Sequence, residues 1–395
     1  MNPLSALLSL SDYEKLERGL VHTPQEIMQQ PATWLGTFGR LRPQLQEVRD
    51  FLTASGLQNP EVQRPIVFLV GAGTSDYIGQ SLHHLLRKNW QCEVIPVSSP
   101  DLLMDFSDYM LPQRQYLWIS FSRSGDSPEG VAVLARALAE CPNVRHLVVS
   151  CNVSGQMIRS IQGQPNCLGI VLDEVTNDRG LAMTSSFSNM VLAGQILAHA
   201  WSIEEYEPIC QALSQAAESF LPRAAGLAAD LAGHGYTRAC FVGSGVLTGA
   251  AMESALKLLE LTAGNVQAFS QSTLALRHGP MAALDHGTLF VGLLSSQEQR
   301  RQYELDLLRE IGGKSLVRSR IAVATSGIAS LRPEADYVLT PERSFAIPDL
   351  YRPVLDVIFG QLLGLFASLH FGLKPDSPSP SGAISRVVQN VGIYQ

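Results

Sequence analysis

The sequence is poor in charge and has no paired cysteines. Only 16% of its 395 residues are charged and the net charge is −7, which argues against nucleic acid or an anionic membrane as the main partner. A small anionic ligand stays compatible with this balance, because loop amides and helix N-termini bind phosphate without much net positive charge. No two cysteines form a C-x-x-C pair, so we expect buried free thiols. The six cysteines are Cys92, Cys141, Cys151, Cys167, Cys210 and Cys240.

Sequence signatures of metal and nucleotide cofactors are also missing. No group of His, Cys and Asp has metal-ligand spacing, and no loop has the Walker pattern G-x-x-x-x-G-K. The first G-x-G turn, 71–73, has Asp76 where the third glycine of a dinucleotide site would fall. The sequence therefore predicts a protein that requires neither a metal nor another cofactor.

Targeting and membrane segments are not expected either. The first 15 residues have no basic region before their apolar stretch, unlike a signal peptide. The longest apolar stretch, 354–371, contains Asp356 and His370 and is short for a bilayer. We expect a buried or interfacial helix there, and a cytoplasmic protein with no membrane partner.

An internal repeat dominates what is present. Residues 66–82 and 238–254 each consist of an apolar run, a G-x-G turn and a helical pattern, 172 residues apart. At the same spacing the apolar run at 117–125 falls on that at 289–297. A constant spacing across two strand–turn–helix units indicates a duplicated α/β domain.

The organisation predicted from this repeat is two tandem, doubly wound parallel-sheet domains of flavodoxin-like α/β class, because apolar runs alternate with helical patterns. We expect a helical lead-in over 1–55, a first domain over 56–220 and a second over 221–372. The remaining tail, 373–395, opens with prolines and serines that disfavour regular structure and then becomes apolar again. It is therefore either disordered or docked, and we expect it to dock near the active site.

Hydroxyl groups cluster at three predicted turns of the first domain, 71–75, 121–129 and 181–187. Ligands of open parallel sheets bind at the carboxyl ends of strands, where helix N-termini present free N–H groups. A serine before a helix is often only an N-cap, but three such turns together predict a phosphate site. The hydroxyl residues are Thr74, Ser75, Ser122, Ser124, Ser127, Thr184, Ser185 and Ser186.

The second copy differs at these turns. In place of the serine-rich turn it has Leu294, Ser295 and Ser296 without a glycine, and in place of the threonine turn it has Val246 and Leu247. We therefore predict that the second copy has lost its phosphate site, which leaves one per chain.

Candidate acid–base groups lie in the second copy. On the predicted helix 251–265, Glu253, Lys257 and Glu260 share one face at spacings i, i+4 and i+7. One interpretation is a solvated salt-bridge ladder. The other is that Glu260, flanked by leucines near the helix end, is a partly desolvated carboxylate of raised pKa that abstracts a proton beside a carbonyl. His278, on a loop before a glycine and a proline, is either merely exposed or a second acid–base group.

Several motifs together resemble the sugar isomerase (SIS) family of phosphosugar-binding domains in its tandem form. They are GAGTS, SFSRSGDSPE, NDRGLAMTSSF (177–187), ESALKLLELTAG (253–264), LRHGP (276–280) and PSPSGAISRVVQ (378–389). The branch they resemble is galactosamine-6-phosphate deaminase/isomerase, also labelled tagatose-6-phosphate ketose/aldose isomerase.

The resemblance implies roles for individual residues. Glu260 would shuttle a proton between carbons 1 and 2 of the open-chain sugar, and His278, from a neighbouring subunit, would open the ring. This implies a homodimer or larger oligomer. The 6-phosphate would be held by Thr74, Ser75, Ser122, Arg123, Ser124 and Ser127. Contacts to the sugar are expected from Arg179, Thr184, Ser185 and Arg386.

Two departures from the related aminosugar-forming synthase bear on the reaction. A tail lysine of that synthase corresponds to Ser385 here, with Arg386 next to it, and its glutaminase domain has no counterpart in this sequence. We therefore expect cofactor-free conversion of galactosamine 6-phosphate to tagatose 6-phosphate and ammonia. The alternatives are an aldose–ketose isomerase of a neutral sugar phosphate and a non-catalytic sugar-phosphate sensor. Galacto or gluco specificity stays open.

Overall fold

Each half of the chain builds one parallel sheet of five strands. The computed structural model describes residues 2–58, 63–325, 333–388 and 391–394. The first sheet has the order β2-β1-β3-β4-β5 and the second the order β10-β9-β8-β6-β7, which is the same topology read from the opposite edge. The duplicated, doubly wound α/β class predicted from the sequence is therefore confirmed.

The central strands of both sheets are apolar and buried, as is usual for parallel strands covered by helices. Every residue of β1 and β3 is buried. The strands are β1 (Ile66–Gly71), β2 (Val94–Ser98), β3 (Tyr116–Ser122), β4 (Val144–Ser150), β5 (Cys167–Val171), β6 (Arg238–Gly243), β7 (Gln267–Ser272), β8 (Thr288–Leu293), β9 (Ser319–Val323) and β10 (Tyr337–Leu339).

The helices that precede and connect these strands vary from one turn to eight. In chain order they are α1 (Pro3–Leu8), α2 (Asp12–Arg18), α3 (Thr23–Met28), α4 (Gln30–Leu41), α5 (Leu45–Ala54), α6 (Thr74–Trp90), α7 (Ser99–Met104), α8 (Phe106–Tyr109), α9 (Pro128–Glu140), α10 (Gln156–Ile161), α11 (Ser185–Ala198), α12 (Ile203–Ala232), α13 (Leu247–Leu261), α14 (Glu298–Gly313) and α15 (Pro353–His370).

Two compact units contain these elements. The N-sheet unit consists of Thr33–Asn177, Ser185–Cys210 and Ser385–Gln395. The C-sheet unit consists of Met1–Ala32, Asp178–Thr184 and Gln211–Ile384.

Each unit is assembled from three separate stretches of chain, whereas the ranges predicted from the sequence are continuous. The helical lead-in, 1–55, is shared between them, and the boundary at Cys210 falls inside α12. We propose that the predicted ranges 56–220 and 221–372, each of which contains one sheet, are the two duplicated repeats.

The G-x-G turns have the same backbone geometry in both copies. A Cβ atom on Gly71 would lie 2.3 Å from the backbone of the residue four positions ahead, and one on Gly243 would lie 2.4 Å from the corresponding backbone. Only glycine permits this close approach. Each turn therefore brings the N-terminus of a helix, α6 or α13, directly against the end of a buried strand.

Helix α15 is long and apolar enough to cross a membrane by length and composition, but 89% of it is buried within the structure. Gly360 and Gly364 lie against α13, where a Cβ on Gly360 would come within 2.4 Å of Ser254. The apolar stretch predicted at 354–371 is therefore the core helix of the C-sheet unit.

All six cysteines are free, as predicted. Cys151, Cys210 and Cys240 are buried, whereas the other three are half-buried.

Candidate active site

Two of the predicted phosphate turns meet at one edge of the first sheet. Strands β1 and β3 are parallel neighbours with Val70 opposite Ser120, so the turns that follow them lie side by side. Helix α6 begins at Thr74 directly after the first turn, and α9 begins at Pro128 after the second. Both helix N-termini therefore point to the carboxyl edge of the sheet, as the sequence predicted.

Hydroxyl groups of the second turn organise its backbone. The Ser122 Oγ accepts a hydrogen bond from the Gly125 N–H at 3.0 Å, and the Ser124 Oγ accepts one from the Asp126 N–H at 3.1 Å. The Ser127 Oγ donates to Glu129 at 3.1 Å. The chain thus forms a tight loop that exposes further N–H groups at the start of α9.

This turn rests on the loop that follows β4. The Asn152 Nδ2 donates to the Ser124 carbonyl at 2.8 Å, and the Met157 N–H donates to the Gly125 carbonyl at 2.9 Å. Gly125 has a φ of +69° and lies against Gly155, where a Cβ on Gly125 would come within 3.0 Å. These contacts hold the turn in one shape.

The C-terminal tail docks on the same turn. The Arg123 guanidinium donates to the Arg386 carbonyl at 2.5 Å, and the Arg386 guanidinium donates to the Asn177 Oδ1 at 2.8 Å. Arg386 therefore lies beside Arg123, one of the predicted phosphate residues of the N-sheet unit.

The third predicted turn, 181–187, does not follow a strand end. Strand β5 ends at Val171, and a 3₁₀ helix (Glu174–Thr176) and a loop separate it from α11. The predicted strand-end position of this turn is therefore wrong. Thr184 belongs to the C-sheet unit and Ser185 to the N-sheet unit.

Carboxylates hold the loop that carries Arg179. The Asp178 carboxylate accepts both the N–H of Thr184, at 2.7 Å, and its hydroxyl, at 3.2 Å. The Glu26 Oε1 accepts the N–H groups of Arg179, at 2.6 Å, and Gly180, at 3.2 Å. Asp178 thus stabilises the turn, while the side chain of Arg179 is exposed. Burial, and next the charge of Asp178, raise the pKa of Glu26 to about 8.

The charged triplet of α13 is buried rather than solvated. The Lys257 ammonium lies 3.3 Å from the Glu253 carboxylate and 2.6 Å from that of Glu260. The side chains of Lys257 and Glu253 are 1% and 0% exposed, whereas that of Glu260 is 22% exposed. The interpretation as a solvated ladder is therefore wrong, and Glu260 is the member of the triplet that solvent and ligands reach.

The buried ammonium stays charged beside Glu260. Burial alone would lower the pKa of Lys257, but the charges of Glu253 and Glu260 outweigh that effect and raise it. The helix ends just after Glu260, where the Gly264 N–H bonds to the Leu259 carbonyl at 3.0 Å in a left-handed C-terminal turn. Glu260 is thus a carboxylate held in place by a neighbouring cation at the end of a helix.

His278 lies on a separate loop of the same unit. It caps the 3₁₀ helix Ala275–Arg277 and is exposed. Arg277 anchors the loop by ion pairs with Asp306, at 3.0 Å, and Glu310, at 2.6 Å. An exposed imidazole on an anchored loop is accessible to another molecule.

A metal-binding cluster is not found in the described residues, since no group of three or more His, Cys, Asp or Glu side chains there could hold an ion.

Comparison with known proteins supports the resemblance seen in the sequence. A scan against models of protein families found no match. Over 382 residues the chain is 37% identical to AgaS of Streptomyces coelicolor, covering 95% of each protein. It is also 34% identical to the D-galactosamine-6-phosphate deaminase AgaS of Escherichia coli O157:H7, over 94% of this chain and 95% of that protein. The chain belongs to the AgaS family.

A solved structure also resembles this AgaS-family chain over nearly its full length. The crystal structure of tagatose-6-phosphate ketose/aldose isomerase from Escherichia coli matches it with a TM-score of 0.82 and 30% identity, covering 94% of this chain and 96% of that one. The predicted resemblance to the tandem phosphosugar isomerases, and to this branch, is confirmed.

Sequence reasoning overlooked two residues that shape the candidate site of this AgaS-family chain. The spacing of the triplet did not predict that Lys257 is buried. A charged residue between Ala255, Leu258 and Leu261 on an apolar helix is nevertheless a signal of a buried ion pair. Glu26 carries no such signal, because its contact with the loop at Arg179 depends entirely on the fold.

The raised pKa of Glu26 predicts a pH-dependent stability. Between its ordinary value of 4.5 and about 8, the folded chain keeps a proton that the unfolded chain has released, so the free energy of unfolding falls as pH rises. Glu26→Gln retains an oxygen for the two N–H groups but does not titrate. From pH 5 to pH 8 we expect wild type to lose about 1–3 kcal/mol relative to Glu26→Gln in urea unfolding.

Glu17 is exposed, so Glu17→Gln serves as the matched control for this experiment. A plot of its free energy of unfolding against pH should run parallel to that of wild type. Parallel curves for wild type and Glu26→Gln would contradict the assignment of a protonated Glu26.

Proposed function

We propose that this AgaS-family chain converts galactosamine 6-phosphate and water into tagatose 6-phosphate and ammonia. The observation that carries the proposal is the near-full-length match, at 34% identity, to the D-galactosamine-6-phosphate deaminase AgaS of Escherichia coli. The hydroxyl turns of the N-sheet unit and the partly exposed carboxylate on α13 suit the two tasks of this reaction, which are phosphate binding and proton transfer.

Phosphate binding is assigned to the turns at the ends of β1 and β3. The N-termini of α6 and α9 supply partial positive charge, and neutral hydroxyls supply donors, which together suit a dianion. Binding energy at the phosphate, remote from the reacting carbons, positions the sugar for reaction. The residues proposed are Thr74, Ser75, Ser122, Arg123, Ser124 and Ser127, and Arg179, Thr184, Ser185 and Arg386 are proposed for the sugar.

Proton transfer is assigned to Glu260. Its carboxylate takes the proton from carbon 2 of the open-chain amino aldose, and the electron pair forms the carbon 1–carbon 2 double bond of an enolamine. The carbonyl π bond at carbon 1 breaks, and its oxygen takes up a proton from solvent to become a hydroxyl. Return of the proton to carbon 1 gives an imine at carbon 2. Water adds to this imine and ammonia leaves, so that the ketose phosphate remains. The Lys257 ammonium, 2.6 Å from Glu260, orients the carboxylate and balances the charge that develops beside it.

Ring opening is assigned to His278. An imidazole changes its charge near neutral pH and therefore suits proton exchange with a ring oxygen. We propose that His278 acts in the active site of a neighbouring subunit, in a homodimer or larger homo-oligomer. The exposure of its anchored loop supports this assignment.

A neutral aldose–ketose isomerase is the second candidate. It is favoured by the name of the Escherichia coli structure, a tagatose-6-phosphate ketose/aldose isomerase at 30% identity. The proton transfer between carbons 1 and 2 is common to both reactions, and only ammonia release separates them.

A cytoplasmic location follows from the proposed substrate, because a phosphorylated sugar is charged and does not cross a lipid bilayer unaided. Cell fractionation would contradict this location if the protein sedimented with membranes or was recovered outside the cytoplasm.

Ammonia release tests the proposed reaction directly. Purified protein, with and without a metal chelator, should release ammonia from galactosamine 6-phosphate in preference to glucosamine 6-phosphate. Tagatose 6-phosphate should appear in the same molar amount as the ammonia. Formation of tagatose 6-phosphate from the neutral aldose galactose 6-phosphate, with no ammonia released from either amino sugar, would instead support the isomerase.

Replacement of the proposed base tests the mechanism. Glu260→Gln should lower turnover by about 10²–10⁴-fold, the usual contribution of a general base, and leave binding of the sugar phosphate nearly unchanged. The matched control is Glu334→Gln, which removes another partly buried, ion-paired carboxylate and should keep full activity. Unaltered turnover in a folded Glu260→Gln protein would refute the role of this residue.

Mixing of two inactive variants tests the shared site. If each active site combines Glu260 of one subunit with His278 of another, Glu260→Gln and His278→Ala subunits should regain activity after exchange. In a twofold-symmetric dimer the recovery would be about a quarter of the wild-type rate. Mass-tagged subunits that form mixed oligomers without any recovery would show that His278 acts within its own chain.

A further inference from the structure

The turn after β8 is the second copy's counterpart of the phosphate turn. Ser295 and Ser296 follow β8 as Arg123 and Ser124 follow β3, at the repeat spacing of 172 residues. In both copies the turn lies between a central strand and a long helix, here α14. One of the three hydroxyl positions of the first copy is thus kept, since Ser296 corresponds to Ser124. Ser295 adds a hydroxyl at the position of Arg123.

A carboxylate from elsewhere in the unit occupies this turn. The Asp349 Oδ1 accepts hydrogen bonds from the N–H of Ser296, at 2.7 Å, and from its hydroxyl, at 2.8 Å. The Asp349 Oδ2 accepts a hydrogen bond from the Ser295 hydroxyl. Backbone N–H and serine hydroxyl are the donors that the first copy offers to a phosphate oxygen. Asp349 is 3% exposed, so the position is closed to solvent.

Two arginines complete an anion-binding set around this carboxylate. Arg300 lies 3.2 Å from the Asp349 Oδ2, and Arg352 lies 3.2 Å from the Oδ1. The Arg300 guanidinium also lies over the G-x-G turn, 3.6 Å from where a Cβ on Gly245 would be. The ion pair of Arg300 and Asp349 therefore fills the space next to both turns of the second copy.

The first copy has no such internal ligand at Ser124, the counterpart of Ser296. The Ser124 hydroxyl accepts a backbone N–H, and none of the acidic residues in the described ranges bonds to it. The Glu129 carboxylate bonds instead to the Ser127 hydroxyl of the same turn. The two copies thus differ in what occupies the turn as well as in its sequence.

Asp349 is not needed merely to neutralise the charge of Arg352. The Arg352 guanidinium is fully buried and also pairs with Asp356 at 2.7 Å, so it would keep one carboxylate partner without Asp349. The contacts that Asp349 alone provides are those to Ser295, Ser296 and Arg300.

We propose that Asp349 is an internal ligand that occupies an anion site retained by the second copy. In wild type the carboxylate fills this site from within. Its removal opens a site for inorganic phosphate, formed by the hydroxyls of Ser295 and Ser296, the Ser296 N–H, Arg300 and Arg352. The Ser295 N–H is bonded to the Glu304 carboxylate at 2.6 Å and is not part of this site. This inference does not rest on the proposed function.

The test is a count of bound phosphate. Equilibrium dialysis with labelled inorganic phosphate should find one more phosphate per chain in Asp349→Ala than in wild type, whatever number wild type binds. In the control Asp356→Ala, which removes the other carboxylate on Arg352, the count should equal that of wild type. Equal counts in Asp349→Ala and wild type would overturn the proposal. Because only the difference is used, failure of the proposed deaminase activity would not affect the result.

A second variant covers the case in which Asp349→Ala does not fold. Asp349→Asn keeps the volume filled but removes the charge, so it should fold, bind no additional phosphate and unfold at a temperature lower by roughly 5 °C or more. If Asp349→Ala folds, phosphate should raise its unfolding temperature more than that of wild type or Asp349→Asn. An unfolding temperature of Asp349→Asn equal to that of wild type would show that the turn does not need a negative charge, and would equally overturn the proposal.

Discussion

The positive end of a helix, placed against the end of a parallel strand, is the constraint on which the proposed chemistry of this chain depends. The start of a helix carries partial positive charge and attracts anions. The G-x-G turns place α6 and α13 against the ends of β1 and β6 so closely that a Cβ on Gly71 or Gly243 would lie 2.3 or 2.4 Å from the backbone that follows. In the N-sheet unit we propose that the hydroxyl turns bind an anion at this edge of the sheet. In the C-sheet unit the Asp349 carboxylate accepts hydrogen bonds in the turn after β8.

Two buried cationic side chains of the C-sheet unit are each paired with two carboxylates. Lys257 lies between Glu253 and Glu260, and Arg352 lies between Asp349 and Asp356. A buried cation is stable only with close, hydrogen-bonded partners, and each of these has two carboxylates. The difference lies in exposure. Both carboxylates on Arg352 are closed off, whereas Glu260 is open to solvent at the end of α13. A carboxylate of that kind, oriented by a buried ammonium, suits proton transfer.

Local patterns predicted the parts of the candidate site that depend on neighbouring residues. The apolar runs and their spacing indicated two duplicated sheets, and the serine-rich turn ended where Pro128 starts α9. The same reasoning was wrong for 181–187, because β5 ends well before α11 and the loop between them is held by Glu26 and Asp178. It also read the triplet on α13 as solvated or partly buried, since spacing alone gives the face of a helix but not what packs on that face.

The sequence by itself determined the α/β class, the duplication, the hydroxyl turns and the family resemblance, because each is encoded over short stretches of chain or by a repeat spacing. Only the tertiary structure decided which charges are buried and what fills the second turn. Asp349 is far along the chain from Ser295, and Glu26 is still farther from Arg179. No local pattern links residues at such separations, since their contact is set by how strands and helices pack and by the requirement that buried polar groups find partners.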